Sequence, residues 1–337
     1  MNADFDIVIP TLGRPSLERL LQALAQVAGR PPGRVVIVDD SRDSVVSQRA
    51  RALPGGRIQV VTGRRRGPAA ARNTGWRACG ATWVEFLDDD VEPPAGWLDA
   101  LADDLAGLDD AVAASEGGVR VPLPRRRRAT DWERGTQGLE RARYVTADIA
   151  YRRTALQALG GFDERFERAY REDADIALRT MAAGFRIARG TRRVVHPVRP
   201  PRRFESIRRQ AGNADDARMD GLHGARWRER AHAPRGRRSR HVALTVLAAA
   251  GLARPRRARR IAAVAWATGT AEFAWSRIAP GPRNPREIGE MLITSIAIPP
   301  AATGWWLAGL LRRRRLSRVP AAVLFDRDGT LIEDVPY

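Results

Sequence analysis

Residues 83–90 read WVEFLDDD, an apolar run that ends in three consecutive carboxylates. Aromatic and β-branched residues in a short apolar run predict a buried strand, here Thr82 to Leu87. The same pattern occurs upstream in VVIVDD, residues 35–40, where a second apolar run stops at Asp39-Asp40. Ile7-Val8-Ile9, ending at Pro10, and Ile58 to Val61 complete the set of short β-branched runs. Helical spacing lies between them. Pro15 to Ala28 carries Leu17, Leu20, Leu21, Leu24 and Val27, and is closed by Gly29 and Pro31-Pro32. Arg66 to Ala78 is entered through Gly67-Pro68, and Trp97 to Leu105 follows the third strand. Strands alternating with helices predict an α/β fold, with a parallel, doubly wound sheet covered on both faces.

The chain has 337 residues, room for about two domains. A hydrophobic share of 44% and a charged share of 29% fit a folded protein and exclude global disorder. The single cysteine, Cys79, excludes an internal disulfide and a cysteine-based metal site, and four scattered histidines argue against a zinc cluster. MNADFDIVIP lacks the basic start and apolar run of a signal peptide, so a cytoplasmic location is expected.

Net charge is +19, and all 58 basic residues are arginine, in part a mark of coding bias. Their placement is uneven. Residues 1–175 hold 26 arginines and 27 acids, whereas residues 176–337 hold 32 arginines and 12 acids. Such asymmetry points to a polyanionic partner for the second half alone, an anionic membrane surface or nucleic acid.

Further along, Arg125 to Arg128 is a basic loop. Tyr144 to Arg152 reads as a strand, Arg153 to Leu159 as a helix stopped at Gly160-Gly161, Asp173 to Ala183 as a helix stopped at Gly184, and Phe185 to Val195 as a strand. Beyond Phe204 the pattern is helical and rich in arginine. Val242 to Ala253 and Ile261 to Ala271 are too short to span a bilayer. Met291 to Leu311 is uncharged and long enough, but Pro299-Pro300 at its middle is expected to break a helix there. A span, an interfacial or hairpin segment, and ordinary packing all stay open for it.

Three acidic groups are placed to do chemistry. Asp39-Asp40 stands at a strand end, where open α/β sheets bind ligands; the same pair also suits an Asx turn or helix cap. Asp88-Asp89-Asp90 crowd three like charges, which a divalent cation with oxygen ligands would relieve; an acidic turn before Pro93-Pro94 is the alternative. Glu172-Asp173 opens a helix, where acids cap and complement the dipole, or where a general base could stand with its pKa lowered by the helix end.

The ordered runs VIPTLGRP (8–15), VIVDDS (36–41), GPAAARNTG (67–75), EFLDDDVEPP (85–94), YRRTALQALGGFDERF (151–166), REDADIALR (171–179) and VVHP (194–197) resemble family 2 glycosyltransferases over about residues 4–200. The resemblance implies a GT-A fold, a nucleotide-sugar donor, Mg²⁺ or Mn²⁺, and inversion at the anomeric carbon. By position it implies Pro10, Thr11, Asp40, Arg72, Asp88 and Asp89 on the donor, and Asp90, Asp88 and His196 at the metal. It implies Asp173 as the base, with Glu172 binding acceptor or orienting the site. Many relatives carry asparagine where Asp148 stands, which leaves an acceptor contact there open.

Residues 204–228 are similar to the region that follows the core in members fused to a HAD-type phosphatase. Asp326-Arg327-Asp328-Gly329-Thr330 resembles the nucleophile loop of the heptose-bisphosphate and histidinol-phosphate type. The resemblance implies Asp326 as nucleophile and Asp328 as acid/base. Because the chain stops at Tyr337, it also implies a truncated, inactive domain. The expected organisation is a GT-A domain at 1–205, a helical, arginine-rich, membrane-associated region at 206–318, and the start of the HAD-like domain at 319–337. The expected role is in cell-envelope glycan synthesis, with a glycan or lipid-linked acceptor.

Two other readings compete. A metal-dependent nucleotidyltransferase shares the nucleotide fold but usually carries a glycine-rich loop, and TLGRP is poor in glycine. An arginine-rich nucleic-acid or membrane binder without catalysis is disfavoured on the nucleic-acid side by 6% aromatics and no recognised motif.

Overall fold

The structure, a computed structural model, describes residues 4–27, 29–41, 46, 58–252, 255–316, 324–325 and 331–332. Its centre is a seven-stranded sheet. The strands are β1 (Phe5–Thr11), β2 (Val35–Asp39), β3 (Ile58–Thr62), β4 (Trp83–Phe86), β5 (Val112–Arg120), β6 (Ile149–Arg152) and β7 (Arg186–Val195), in spatial order β3-β2-β1-β4-β6-β5-β7. The first four run parallel, and β5 pairs parallel with β7. β6 is reversed against both neighbours, so the sheet is mixed rather than wholly parallel as expected.

Strand periodicity makes both faces apolar. Phe5, Ile7 and Ile9 of β1 pack on α1 (Ser16–Gln26) and α3 (Trp97–Leu105). Val8, between them, faces the other way onto α2 (Pro68–Arg77) with Val36, Val38 and Phe86. Gly75 permits that approach, since a Cβ there would collide with Val8. Gly67 starts α2 at φ +90°, and a Cβ on it would strike the Glu167 carbonyl.

One expected strand is shorter, and one strand is added. The one from Tyr144 begins only at Ile149, because Tyr144 sits at φ +63° and donates its N–H to Glu116 (2.9 Å), turning the chain. β5, not foreseen, is built of small residues inserted between β6 and β7.

Short helices α4 (Asp131–Gln137) and α5 (Arg153–Ala158) lead to α6 (Glu172–Ala182). Then follow α7 (Glu205–Arg208), α8 (Gly212–His223), α9 (Trp227–Arg230), α10 (Arg238–Leu252), α11 (Arg256–Ile278) and α12 (Pro285–Leu316). Met219 and Trp227 are buried with Phe166, Ala174 and Leu178, which fastens α8 and α9 to α6.

α12 runs unbroken through Pro299-Pro300, against expectation. Proline inside a helix costs about 3 kcal/mol or more through a lost hydrogen bond and a clash. Ile298, Ala302 and Thr303 are buried on either side, and packing against α8, α10 and α11 holds both halves in line. By length and composition Pro285–Arg312 could cross a membrane, although part of it is buried against the protein. The strands β8 (Leu324–Phe325) and β9 (Leu331–Ile332) form an antiparallel pair; the tail motif residues Asp326 and Asp328 lie outside the described residues.

Candidate active site

β1, β2 and β4 are adjacent and parallel, so their carboxyl ends share one edge of the sheet, the ligand-binding edge of open α/β sheets. Pro10 and Thr11 end β1 opposite Val38 and Asp39. The Asp40 N–H donates to the Thr11 carbonyl (2.9 Å), and Asp40 Oδ1 accepts the Arg65 N–H (2.6 Å), so Asp40 is held between β1 and the loop after β3.

The Thr11 hydroxyl donates to Asp89 Oδ2 (2.7 Å), and Arg14 Nη1 reaches Asp89 Oδ1 (3.3 Å). Asp89 is therefore buried and engaged with the β1 loop through Thr11 and Arg14.

Asp88 meets Arg72. Arg72 Nη2 donates to Asp88 Oδ1 (2.9 Å), and Nη1 donates to Glu172 Oε1 (2.8 Å). Arg72 lies in the first turn and a half of α2, and Glu172 is the first residue of α6. One guanidinium thus joins the strand end to the acidic helix start. Burial pushes the Glu172 carboxyl up to about 7 against the pull of Arg72, with Asp173 adding to the rise.

Asp173 is beside this pair and close enough to Asp88 for their charges to interact. Its Oδ1 accepts the Ala174 N–H (2.7 Å). Burial raises its pKa above the usual carboxylate range, the reverse of the lowering expected from the helix end alone. A raised pKa makes a carboxylate a better proton acceptor.

The third acid, Asp90, faces a different element. Glu92 exchanges backbone hydrogen bonds with Val195 (2.7 and 3.0 Å), and the His196 N–H donates to the Arg120 carbonyl (2.8 Å). This fixes the end of β7 against the acidic turn. His196 Nε2 lies 3.5 Å from Asp90 Oδ2, and Arg199 Nε lies 2.9 Å from the same oxygen. Asp90 Oδ2 is buried yet accepts no well-directed hydrogen bond. A buried carboxylate oxygen suits Mn²⁺ or Mg²⁺, whereas the imidazole beside it favours a softer ion than Mg²⁺. Among the described residues no group of three or more His, Cys, Asp or Glu side chains is gathered closely enough to hold an ion. Asp90 and His196 would therefore depend on ligand oxygens to complete a coordination shell.

Sequence reasoning missed Arg199 and Arg14. Arg14 lies inside the TLGRP run and Arg199 three residues after His196, so motif proximity was the available signal. Asp148 is withdrawn from the site. It accepts from Arg192 Nε (2.6 Å) and the Trp97 indole N–H (3.1 Å) in the core.

Residues 6–160 match the glycosyl transferase family 2 description. Over 199 residues the chain is 31% identical to the pre-mycofactocin glycosyltransferase of Mycobacterium tuberculosis, in strains CDC 1551 / Oshkosh and ATCC 25618 / H37Rv alike. The match covers 55% of this chain, and the chain spans only 40% of the length of those relatives. Among solved structures, the mannosyltransferase PcManGT from Pyrobaculum calidifontis, in complex with GDP-Man and Mn²⁺, superposes with a TM-score of 0.53 at 22% identity. That match covers 90% of this chain and 88% of the other, and shows a shared GT-A fold. Over residues 6–160, therefore, the chain is similar to glycosyltransferase family 2, and it shares the fold of a solved glycosyltransferase.

Proposed function

We propose that the chain transfers a sugar, with inversion, from a nucleotide-sugar donor to a hydroxyl acceptor. The observation that carries this is the Arg72 bridge, which joins the Asp88 turn to Glu172 beside Asp173. It brings Asp88 and the Glu172-Asp173 helix start together, which supports reading them as donor-side acid and base.

Pro10, Thr11 and Asp40 would line the nucleotide, with Asp88 and Asp89 at the sugar-diphosphate side. Asp90 and His196, with Asp88 nearby, would hold Mg²⁺ or Mn²⁺, whose charge would stabilise the departing diphosphate. The acceptor oxygen forms the new bond to the anomeric carbon as the bond to the diphosphate oxygen breaks. The acceptor proton goes to Asp173, whose buried position favours proton uptake. Glu172 and Arg72 fix that helix start in place. Positioning and electrostatics supply most of the rate in this scheme.

The acceptor class is a glycan or a lipid-linked molecule, and the setting is envelope synthesis at the cytoplasmic face of a membrane. The arginine excess of the second half supports that placement. The tail is read, on resemblance alone, as the opening of a HAD-type domain.

A donor screen tests the reaction. The full chain is incubated with a panel of nucleotide sugars and Mn²⁺ or Mg²⁺, and released nucleoside diphosphate is measured. Release from at least one donor, abolished by a chelator, is expected; no release from any donor, with a range of hydroxyl acceptors present, contradicts the proposal.

A further inference from the structure

A cavity of about 880 Å³ lies between the loop after β7, helix α4 and the first half of α12. That is the size of a small-molecule site, roughly 300–1,000 Å³. Two residues on its wall tie it to other features. Arg199 lines the cavity and also reaches Asp90 (2.9 Å). Its backbone is pinned, since the Trp132 indole N–H donates to the Arg199 carbonyl (2.7 Å). The cavity therefore begins at the candidate metal and diphosphate end of the active site.

Ile293 lines the opposite side and is 52% exposed. It opens a row on α12. Ile293, Ile296, Pro300, Gly304, Leu307 and Leu311 are all exposed and recur every three or four residues. Such spacing sets them on one helix face, a stripe about 27 Å long at 1.5 Å per residue. The stripe carries no charge and ends at exposed Arg312.

The wall carries five arginines and five acids, and several of the acids are engaged by other groups. Glu133 is held by Arg127 (2.7 Å), Asp131 by Arg277 (2.9 Å), and Glu287 accepts the Asp131 N–H (2.8 Å). Glu205 faces Arg208 (3.7 Å), which leaves Glu290 as the wall acid without a partner among the described residues. Arg202, Arg203 and Arg286 on the same wall make no ion pair among the described residues.

The geometry points to a binding site for an amphiphile with a phosphate-bearing head. The head occupies the arginine-lined cavity near Asp90, and the apolar tail leaves past Ile293 onto the outer face of α12. A free soluble anion would use the cavity but gain nothing from the stripe. A bare bilayer would use the stripe but leave the cavity arginines unpaired. As the acceptor's site this rests on the transferase reading above; as a binding site it is tested without the reaction.

Dodecyl phosphate, below its micellar concentration, is titrated calorimetrically into the full chain, in parallel with inorganic phosphate and dodecanol. Dodecyl phosphate is expected to bind at least tenfold more tightly than either. Arg286→Gln should weaken dodecyl phosphate and inorganic phosphate together by fivefold or more. Ile293→Asp should weaken dodecyl phosphate tenfold and leave inorganic phosphate unchanged. Thermal unfolding confirms that each variant folds, and exposed Arg202→Gln serves if Arg286→Gln does not. Equal affinity for dodecyl phosphate and inorganic phosphate, or unchanged affinity in the folded variants, overturns the site. If these variants respond while no donor is turned over, the cavity stands and the transferase proposal falls.

Discussion

Arg72 and Glu172 are one hundred residues apart and share a hydrogen bond of 2.8 Å, each side chain only 3% exposed. The pair links α2, which packs on β1, to the first residue of α6, which carries the candidate base. A buried ion pair gives little net stability, because desolvation offsets attraction, but removing one partner strands the other.

Arg72→Met should therefore destabilise the chain by about 3–5 kcal/mol at pH 8, the cost of leaving a buried carboxylate unpaired. The loss should shrink below about pH 6, because Glu172, already pushed up to about 7, takes a proton instead. Denaturant unfolding at the two pH values measures this. An equal loss at both would mean that Glu172 is not the stranded partner.

The sign for Glu172 itself follows from linkage. Its folded pKa of about 7 is above the ordinary 4.5, so its stabilising contribution is complete below 4.5 and lost as pH rises through about 7. Relative to Glu172→Gln, the parent should lose on the order of 3 kcal/mol of unfolding free energy across that window. Parallel stability curves for the two proteins would contradict the assignment.

Asp173→Asn keeps the shape of the side chain and removes its proton affinity. Transfer to acceptor should fall by about 10²–10⁴-fold, the usual worth of a positioned general base. Calorimetric binding of a nucleoside diphosphate should be unchanged. Loss of both would make Asp173 a structural residue.

The core network around Arg192 offers a separate test. Its guanidinium meets Glu85 (3.0 Å), Asp148 (2.6 Å) and Asp104 (3.1 Å), and burial pushes Glu85 well above the usual carboxylate range. That rise, to which the Asp148 charge adds, favours the protonated form of Glu85. Glu85→Gln should be nearly neutral for stability at pH 7, whereas Arg192→Leu should cost about 3–5 kcal/mol. Thermal unfolding distinguishes them, and comparable losses would contradict the protonated state.

Much of this was legible because local signals agreed with the fold. Strand ends carrying Asp39-Asp40 and Asp88 to Asp90 were visible as apolar runs stopped by acids, and α6 was visible as Glu172-Asp173 ahead of a helical repeat. The illegible parts depend on distant partners. Small residues of β5 form a strand only because β6 and β7 flank them. The reversal of β6 is a tertiary choice with no local mark. Pro299-Pro300 stays helical because neighbouring helices hold it. Arg199 was one arginine among 58, and only its position near Asp90 distinguishes it. The charge of Asp148 is answered by Arg192, 44 residues further along.

The central claim is that Asp90 and His196 meet a cation and a diphosphate in the cleft that Arg72 and Asp173 share. Electron paramagnetic resonance of Mn²⁺, titrated into the full chain with and without GDP and UDP, tests it most directly. The account predicts that one of the two nucleotides tightens Mn²⁺ binding at least tenfold and that Asp90→Ala removes this gain. Mn²⁺ binding that neither nucleotide alters, or that survives in Asp90→Ala, would contradict it.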